Sequence, residues 1–413
     1  CNGQSKQCQN LTSEIYKLEK QYMNTTWRQC TIGDVCDTIS NTYNSNAQQV
    51  VLINTSDVLE GKVLNHIYIP NENLKGQFKK TFEEGDILYS EIRPQNKRYA
   101  YIDFAPINYI ASTKLMVIRN KNIVKSKYLY YFLQSDKIIS ELQMLAETRS
   151  GTFPQITFNE LSKLSIKIPP LPEQDRIISI LDSICKKIDI NQQINDNLEE
   201  QAKALFKSWF VDNQDNDWKK IRLEEILEIG KTSIIPAQSP DTIFEHYSLP
   251  AFDNGTRPAY EKGCAIKSSK FYIQKNMFLF SKLNPRIKRI WFPNIQTEKA
   301  ICSTEFIPYK PKDASLLGFC YSIVNSEAFY EYVLSLTNGS TGSHQRFHPT
   351  ATLDYSLKIP DKDIIKKFES IVRPLYELIA KNRTENERLA SLRDTLLPKL
   401  MSGEISVEEV SLD

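Results

Sequence analysis

The sequence predicts an α+β protein built as a tandem repeat: two homologous α/β globules joined by two long, antiparallel coiled-coil helices about an approximate two-fold axis. Three observations carry this. In PPLPEQDRIISILDSICKKIDINQQINDNLEEQAKALFKSWFVD, the apolar residues Ile177, Leu181, Ile184, Ile188, Leu198, Ala202, Leu205 and Trp209 step alternately by four and three, the seam of a coiled coil. A shift of 191 residues, from Trp27 to Trp218 (218 − 27 = 191), lays the second half of the chain on the first. The same shift carries Ile177, Leu181, Ile184, Ile188, Leu198 and Leu205 onto Phe368, Val372, Leu375, Ile379, Leu389 and Leu396, so the long helix is itself repeated.

Residues 1–26 read as an N-terminal extension, for which one short helix is predicted around Glu14 to Met23. The first globule, 27–168, opens with WRQCTIGDVC. Its apolar runs predict strands over Val50 to Ile53, Asp86 to Tyr89, Leu115 to Ile118 and Leu164 to Ile168, and helices over Lys127 to Leu133 and Lys137 to Leu145. The central spacer helix occupies 169–212. Pro169, Pro170 and Pro172 stop the preceding strand, and Glu173 places negative charge on the first helical turn. From Glu173 to Phe210 the helix is about 57 Å long at ~1.5 Å per residue. Asn213 to Asp217 read as a short polar linker into the second globule, 213–359.

That globule repeats the frame of the first, and the correspondence needs no gap. GDILYSEIRPQNKR maps onto NMFLFSKLNPRIKR, with Ser90 on Ser281, Pro94 on Pro285, Lys97 on Lys288 and Arg98 on Arg289. Met277 to Phe280 match a strand and Ser326 to Leu336 a helix. The C-terminal spacer helix and tail fill 360–413, with Arg393 in the place of seam Ala202 and Pro374 predicting a kink.

Asn191 and Asn195 interrupt the seam and map onto Asn382 and Asn386. The second globule leaves one helix near Phe210 and joins the other near Asp361. A compact globule therefore makes the helices antiparallel and brings the two asparagine pairs together. Seam asparagines set register at a cost in stability, so replacing Asn191 and Asn382 by Leu is expected to raise stability and loosen register.

Composition narrows the function. The 52 Lys and Arg against 50 Asp and Glu give a formal charge of +2, which excludes a strongly basic nucleic-acid coat and makes any such contact local or shared. No apolar run is long enough to span a bilayer, and the polar start CNGQSKQCQN is no signal peptide, so no membrane association and a cytoplasmic setting are expected. The 8 cysteines lack a CxxC pair, which fits a reducing cytosol. Cys30 and Cys36 with His66 have poor spacing for a metal site, and the two cysteines read better as core thiols.

A rigid spacer holding two homologous globules suits two half-sites on a DNA duplex. The long PPLPEQDRI…FKSWF stretch, GDILYS, YLYYFLQSDK, SGTFPQI and the closing LLPKLMSGEI resemble the specificity subunit of type I restriction-modification enzymes over Trp27 to Ile405. The resemblance implies that each globule is a target recognition domain reading one half of a bipartite target in double-stranded DNA. It also implies that the helices set the gap and dock two adenine methyltransferase (M) subunits, joined in the restriction form by restriction/translocase (R) subunits. The chain itself is then no enzyme and binds no cofactor, with AdoMet, ATP and Mg on partner subunits. In keeping with this, the sequence shows no NPPY-type tetrapeptide, no Walker A loop and only four histidines. The alternative from another class is a coiled-coil protein-interaction adaptor without DNA readout.

Base readout needs Arg, Lys, Asn or Gln reaching the major groove, whereas phosphate contacts need cations and loop amides. Two loops per globule supply such groups. The first holds Arg93, Gln95, Asn96, Lys97 and Arg98, matched by Arg286, Lys288 and Arg289. The second is a glycine loop, Arg149, Ser150, Gly151, Thr152 and Gln155, matched by Thr341, Gly342, Ser343, His344, Gln345 and Arg346. The plainer readings are solvated basic turns and an ordinary turn before the last strand. Trp209 and Phe210 suit either packing under the second globule or a partner contact.

Overall fold

The continuous apolar runs of the sequence become strands covered on both faces. In this computed structural model the described residues are 27–410, apart from 73, 75, 150–152 and 338–344. The predicted helix over Glu14 to Met23 lies outside them. The chain divides into two compact units, one formed by residues up to Cys185 together with those from Ser391 onward, the other by Lys186–Ala390.

In the first unit one antiparallel sheet has the order Cys36–Ile39, Leu115–Asn120, Ile87–Ser90, Tyr99–Tyr101. Successive side chains of a strand point to opposite faces. Ile87, Tyr89, Met116 and Ile118 accordingly enter one core with the helix Ser126–Leu133, while Leu88, Leu115 and Val117 enter another with Val51, Ile53 and Ala111. This two-sided burial explains why these stretches show no polar alternation. The second sheet runs Ile69–Pro70, Gln49–Ile53, Tyr109–Ser112, Phe78–Lys80, with Tyr109–Ser112 parallel to Gln49–Ile53. Arg28–Thr31 pairs antiparallel with Ser165–Ile168 and ties the two ends of the globule together.

The start of the central helix docks on this unit through polar contacts that hydrophobic periodicity does not reveal. Gln174, 1% exposed, accepts the Lys125 amide at 2.8 Å and donates to the Pro169 carbonyl at 2.8 Å. Asp182 receives Tyr131 Oη at 2.5 Å and Lys127 Nζ at 2.7 Å.

The second unit has the corresponding pair Lys219–Arg222 with Ser356–Ile359, and the sheet Leu227–Ile229, Phe306–Pro311, Phe278–Ser281, Ile290–Trp291. The gapless repeat fails in one place. Tyr109 pairs with Val51 and Ala300 with Glu245, so 300 − 109 = 191 but 245 − 51 = 194. Three added residues precede the strand Ile243–Tyr247 and are recovered before Lys270–Tyr272. They sit where turns absorb length without disturbing the buried strands. This sheet also gains the edge strand Ala259–Lys262.

The central helix spans Leu171–Lys207 and passes into a π-helical turn, Ser208–Asp212, earlier than the predicted end at Phe210. Phe210 is 5% exposed and meets Phe368 and Phe319 at ring distances of 4.8 and 5.1 Å, so of the two readings it packs within the second unit. The helix Lys362–Ser402 continues through Pro374, where the sequence predicts a kink; the buried Val372, Tyr376 and Ile379 pin that stretch to the core.

Within the second unit the four asparagines meet. Asn191 donates to Asn386 Oδ1 and to Glu385 at 2.8 Å each, and Asn382 donates to Asn195 Oδ1 at 2.9 Å. Since 191 pairs with 386 and 195 with 382, the segments run antiparallel there. The expected stabilisation by replacing Asn191 and Asn382 is thereby corrected: these two are not partners, and the change would leave Asn386 and Asn195 without their mates.

Candidate nucleic-acid interface

Each unit builds the same turn after a fully buried strand. Ser90 Oγ accepts the Ile92 amide at 3.0 Å, and Ser281 Oγ accepts the Leu283 amide at 3.2 Å. The next residue is left-handed in both copies, Arg93 at φ 44° and Asn284 at φ 47°. Such a conformation is uncommon for a side-chain-bearing residue and is held by its surroundings. Pro94 and Pro285 follow, both buried.

The structure brings the two predicted loops of each globule together. Ile92 bridges Gln155, and the Arg93 amide donates to the Pro154 carbonyl at 3.1 Å. Likewise Leu283 bridges Arg346, and the Asn284 amide donates to the Gln345 carbonyl at 2.9 Å. The two candidate loops of each unit thus lie side by side where they are described. Ser150, Gly151, Thr152, Thr341, Gly342, Ser343 and His344 lie outside the described residues, as does the side chain of Arg149 at the end of the helix Asp136–Arg149.

Several cations of the pattern are engaged by the fold. Arg98 Nη1 donates to the Ser56 and Val58 carbonyls at 3.0 and 3.3 Å, and Lys97 pairs with Asp136 at 3.1 Å. Arg289 grips Asp253 with two bonds of 2.6 and 2.9 Å, leaving its side chain 10% exposed. Lys288 Nζ donates to the Asn325 carbonyl at 2.6 Å and lies 5.3 Å over the Tyr330 ring. Burial holds its pKa below the ordinary lysine value. Arg346 forks onto Glu305 with two bonds of 3.0 Å. Gln155 Oε1 accepts from Lys114 Nζ at 3.4 Å.

Arg93, Gln95, Asn96 and Arg286 remain exposed. Sequence reading missed the partners that hold these loops. Gln143, 6% exposed, accepts the Gln95 amide at 3.2 Å and steadies the first tip, yet sits 48 residues away. The carboxylates Asp253 and Glu305 are 36 and 41 residues from their arginines. Their opposite charge was the only signal in the sequence. Exposed Phe153, Met144 and Ile287 also escaped notice.

No group of three or more His, Cys, Asp or Glu is placed to hold a metal ion among the described residues. Cys36 is a core thiol whose pKa burial pushes up to about 12, and His66 is committed to Tyr109 Oη at 2.8 Å. No described helix is long and apolar enough to cross a membrane.

The type I restriction enzyme HindI specificity subunit of Haemophilus influenzae is 31% identical to this chain over 461 residues, covering 92% of this chain and 99% of that protein. The chain belongs to the type I restriction enzyme specificity subunit family. A second specificity subunit, MjaIX of Methanocaldococcus jannaschii, is 28% identical over 341 residues, covering 74% of this chain and 77% of its own. The family model described as type I restriction modification DNA specificity domain matches residues 24–200, a span that includes the first turn and its partner loop. Among solved structures, the specificity subunit from M. genitalium superposes with a TM-score of 0.56 at 16% identity, covering 92% of this chain and 96% of that one. That likeness concerns the fold.

Proposed function

We propose that this specificity subunit reads a bipartite target in double-stranded DNA, with 27–168 and 213–359 as target recognition domains for one half each. The helical segments 169–212 and 360–413 act as an antiparallel ruler that sets the gap and docks two methyltransferase subunits, in the arrangement of a pseudo-two-fold tandem repeat. The chain performs no chemistry in this reading. AdoMet, ATP and Mg are handled by methyltransferase and restriction/translocase partners in the cytoplasm. One observation carries the proposal beyond family membership: the same two-loop platform is built twice, with a shared backbone frame and different exposed side chains. Two different half-sites require that combination.

Co-expression with the cognate methyltransferase subunit, followed by mapping of N6-methyladenine across the host genome, tests it. The expected result is a two-part motif with a fixed gap that is absent without this chain. An active, folded methyltransferase complex that marks no new motif would sink the DNA reading and favour the coiled-coil adaptor.

A further inference from the structure

We propose that base discrimination rests on the two four-residue tips, Arg93 to Asn96 and Asn284 to Ile287, and that the Lys-Arg pair following each tip fastens it to the body of its unit. The inference rests on the DNA-reading proposal and assigns the roles within that site.

The tips are rigid. In each, the first residue is left-handed and the second is a buried proline. The Asn96 amide closes the first turn on the Arg93 carbonyl at 2.8 Å, and the Ile287 amide closes the second on the Asn284 carbonyl at 2.8 Å. The neighbouring loop holds each from outside, through Pro154 and Gln345. Such a frame fixes the point and direction from which each side chain leaves the backbone, the first requirement of edge recognition.

The fastening pair carries no information that separates the copies. Lys97 and Arg98 have the same identities as Lys288 and Arg289. Their charged ends are also occupied, by Asp136 and two backbone carbonyls in the first unit and by Asn325, Glu327 and Asp253 in the second. A guanidinium whose fork is filled by a carboxylate has little left for a guanine edge. Apart from the shared proline, the tips differ at every position: Arg, Gln and Asn in the first against Asn, Arg and Ile in the second. Arginine suits the guanine O6/N7 edge, and glutamine and asparagine the adenine N6/N7 edge. Ile287, 52% exposed, offers an apolar face for a thymine methyl.

The test exchanges one tip for the other in the full-length chain, by the triple change Arg93→Asn, Gln95→Arg and Asn96→Ile, and maps adenine methylation with the cognate methyltransferase. The first half-site is expected to change while the second half-site and the gap stay as they were. Gln95→Ala and Asn96→Ala separately guard against misfolding, because the recorded bonds of these residues run through their backbone amides. Each is expected to lose about ten-fold or more in discrimination at one base position. Asp253→Ala, which releases Arg289, is expected to lower the melting temperature and leave both half-sites unchanged. A wild-type chain that marks no two-part motif would defeat the DNA-reading proposal itself. A wild-type motif kept by all three tip variants, or a second half-site altered by Asp253→Ala, would overturn this inference alone.

Discussion

Single residues in this protein divide between display and anchorage, and burial decides which. His246 shows the anchoring side. It is 8% exposed, with Nδ1 2.6 Å from Glu261, while its Nε2 is buried without a hydrogen-bond partner among the described residues. Burial lowers its pKa and outweighs the opposing pull of Glu261; nearby Lys270 lowers it further. A depressed histidine is neutral in the fold, so the unfolded chain takes up the proton first as pH falls. Its contribution to stability is therefore full above the ordinary histidine value near 6.5 and is lost as pH drops through the folded value. Thermal unfolding followed from pH 8 to pH 5 is expected to show the melting temperature of the second unit falling, and His246→Gln to flatten that fall. An identical slope in both proteins would remove His246 as the cause. The basic turn was legible in the sequence because Ser90, Pro94, Lys97 and Arg98 recur in the second copy. Which cations were spent internally was not, since Asp253 and Glu305 reach Arg289 and Arg346 only through the fold.

At the scale of elements, the seam asparagines are the sharpest case. Asn191 and Asn195 are 2% and 1% exposed, and Asn195 Nδ2 already has no hydrogen-bond partner among the described residues. Asn382→Leu alone strands the Asn195 carbonyl as well and is expected to cost about 1–3 kcal/mol. Adding Asn195→Leu removes the stranded group and should recover most of that loss, since both partners are then apolar. Denaturant unfolding of the two single variants and the double variant measures the coupling; simple additivity would contradict the pairing. Heptad spacing announced both long helices and the mutual approach of their polar gaps. It did not announce which asparagine faces which, because a shift along the seam preserves the pattern. Nor did periodicity reveal the π-helical turn at Ser208–Asp212, whose register follows from seating Phe210 between Phe319 and Phe368.

For the whole molecule, the internal repeat made the architecture readable. Buried strands such as Ile87–Ser90 and Phe278–Ser281 superimpose at a constant shift because both faces must fill a core. The slip from 191 to 194 fell where no core constrains length. The repeat does not show that the two units are unequal in chain continuity. Lys186–Ala390 is one uninterrupted stretch, whereas the first unit closes its core with Leu397, Leu400 and Met401 from the far end of the chain. Three such buried side chains contribute roughly 5–9 kcal/mol, comparable with the entire stability of an ordinary domain. During synthesis, then, the globule made first is the one completed last: its strands emerge early but wait for the final turns of the C-terminal helix, while the later globule needs nothing beyond itself. A chain ended at Ala390 is expected to keep the cooperative transition of the second unit and lose that of the first, readable by hydrogen exchange in each. Equal protection in both would refute this order. A chain released before Ser391 is made would carry one finished globule and one unfinished, so the helical turns after Ala390 make completion of the first unit conditional on synthesis of the second.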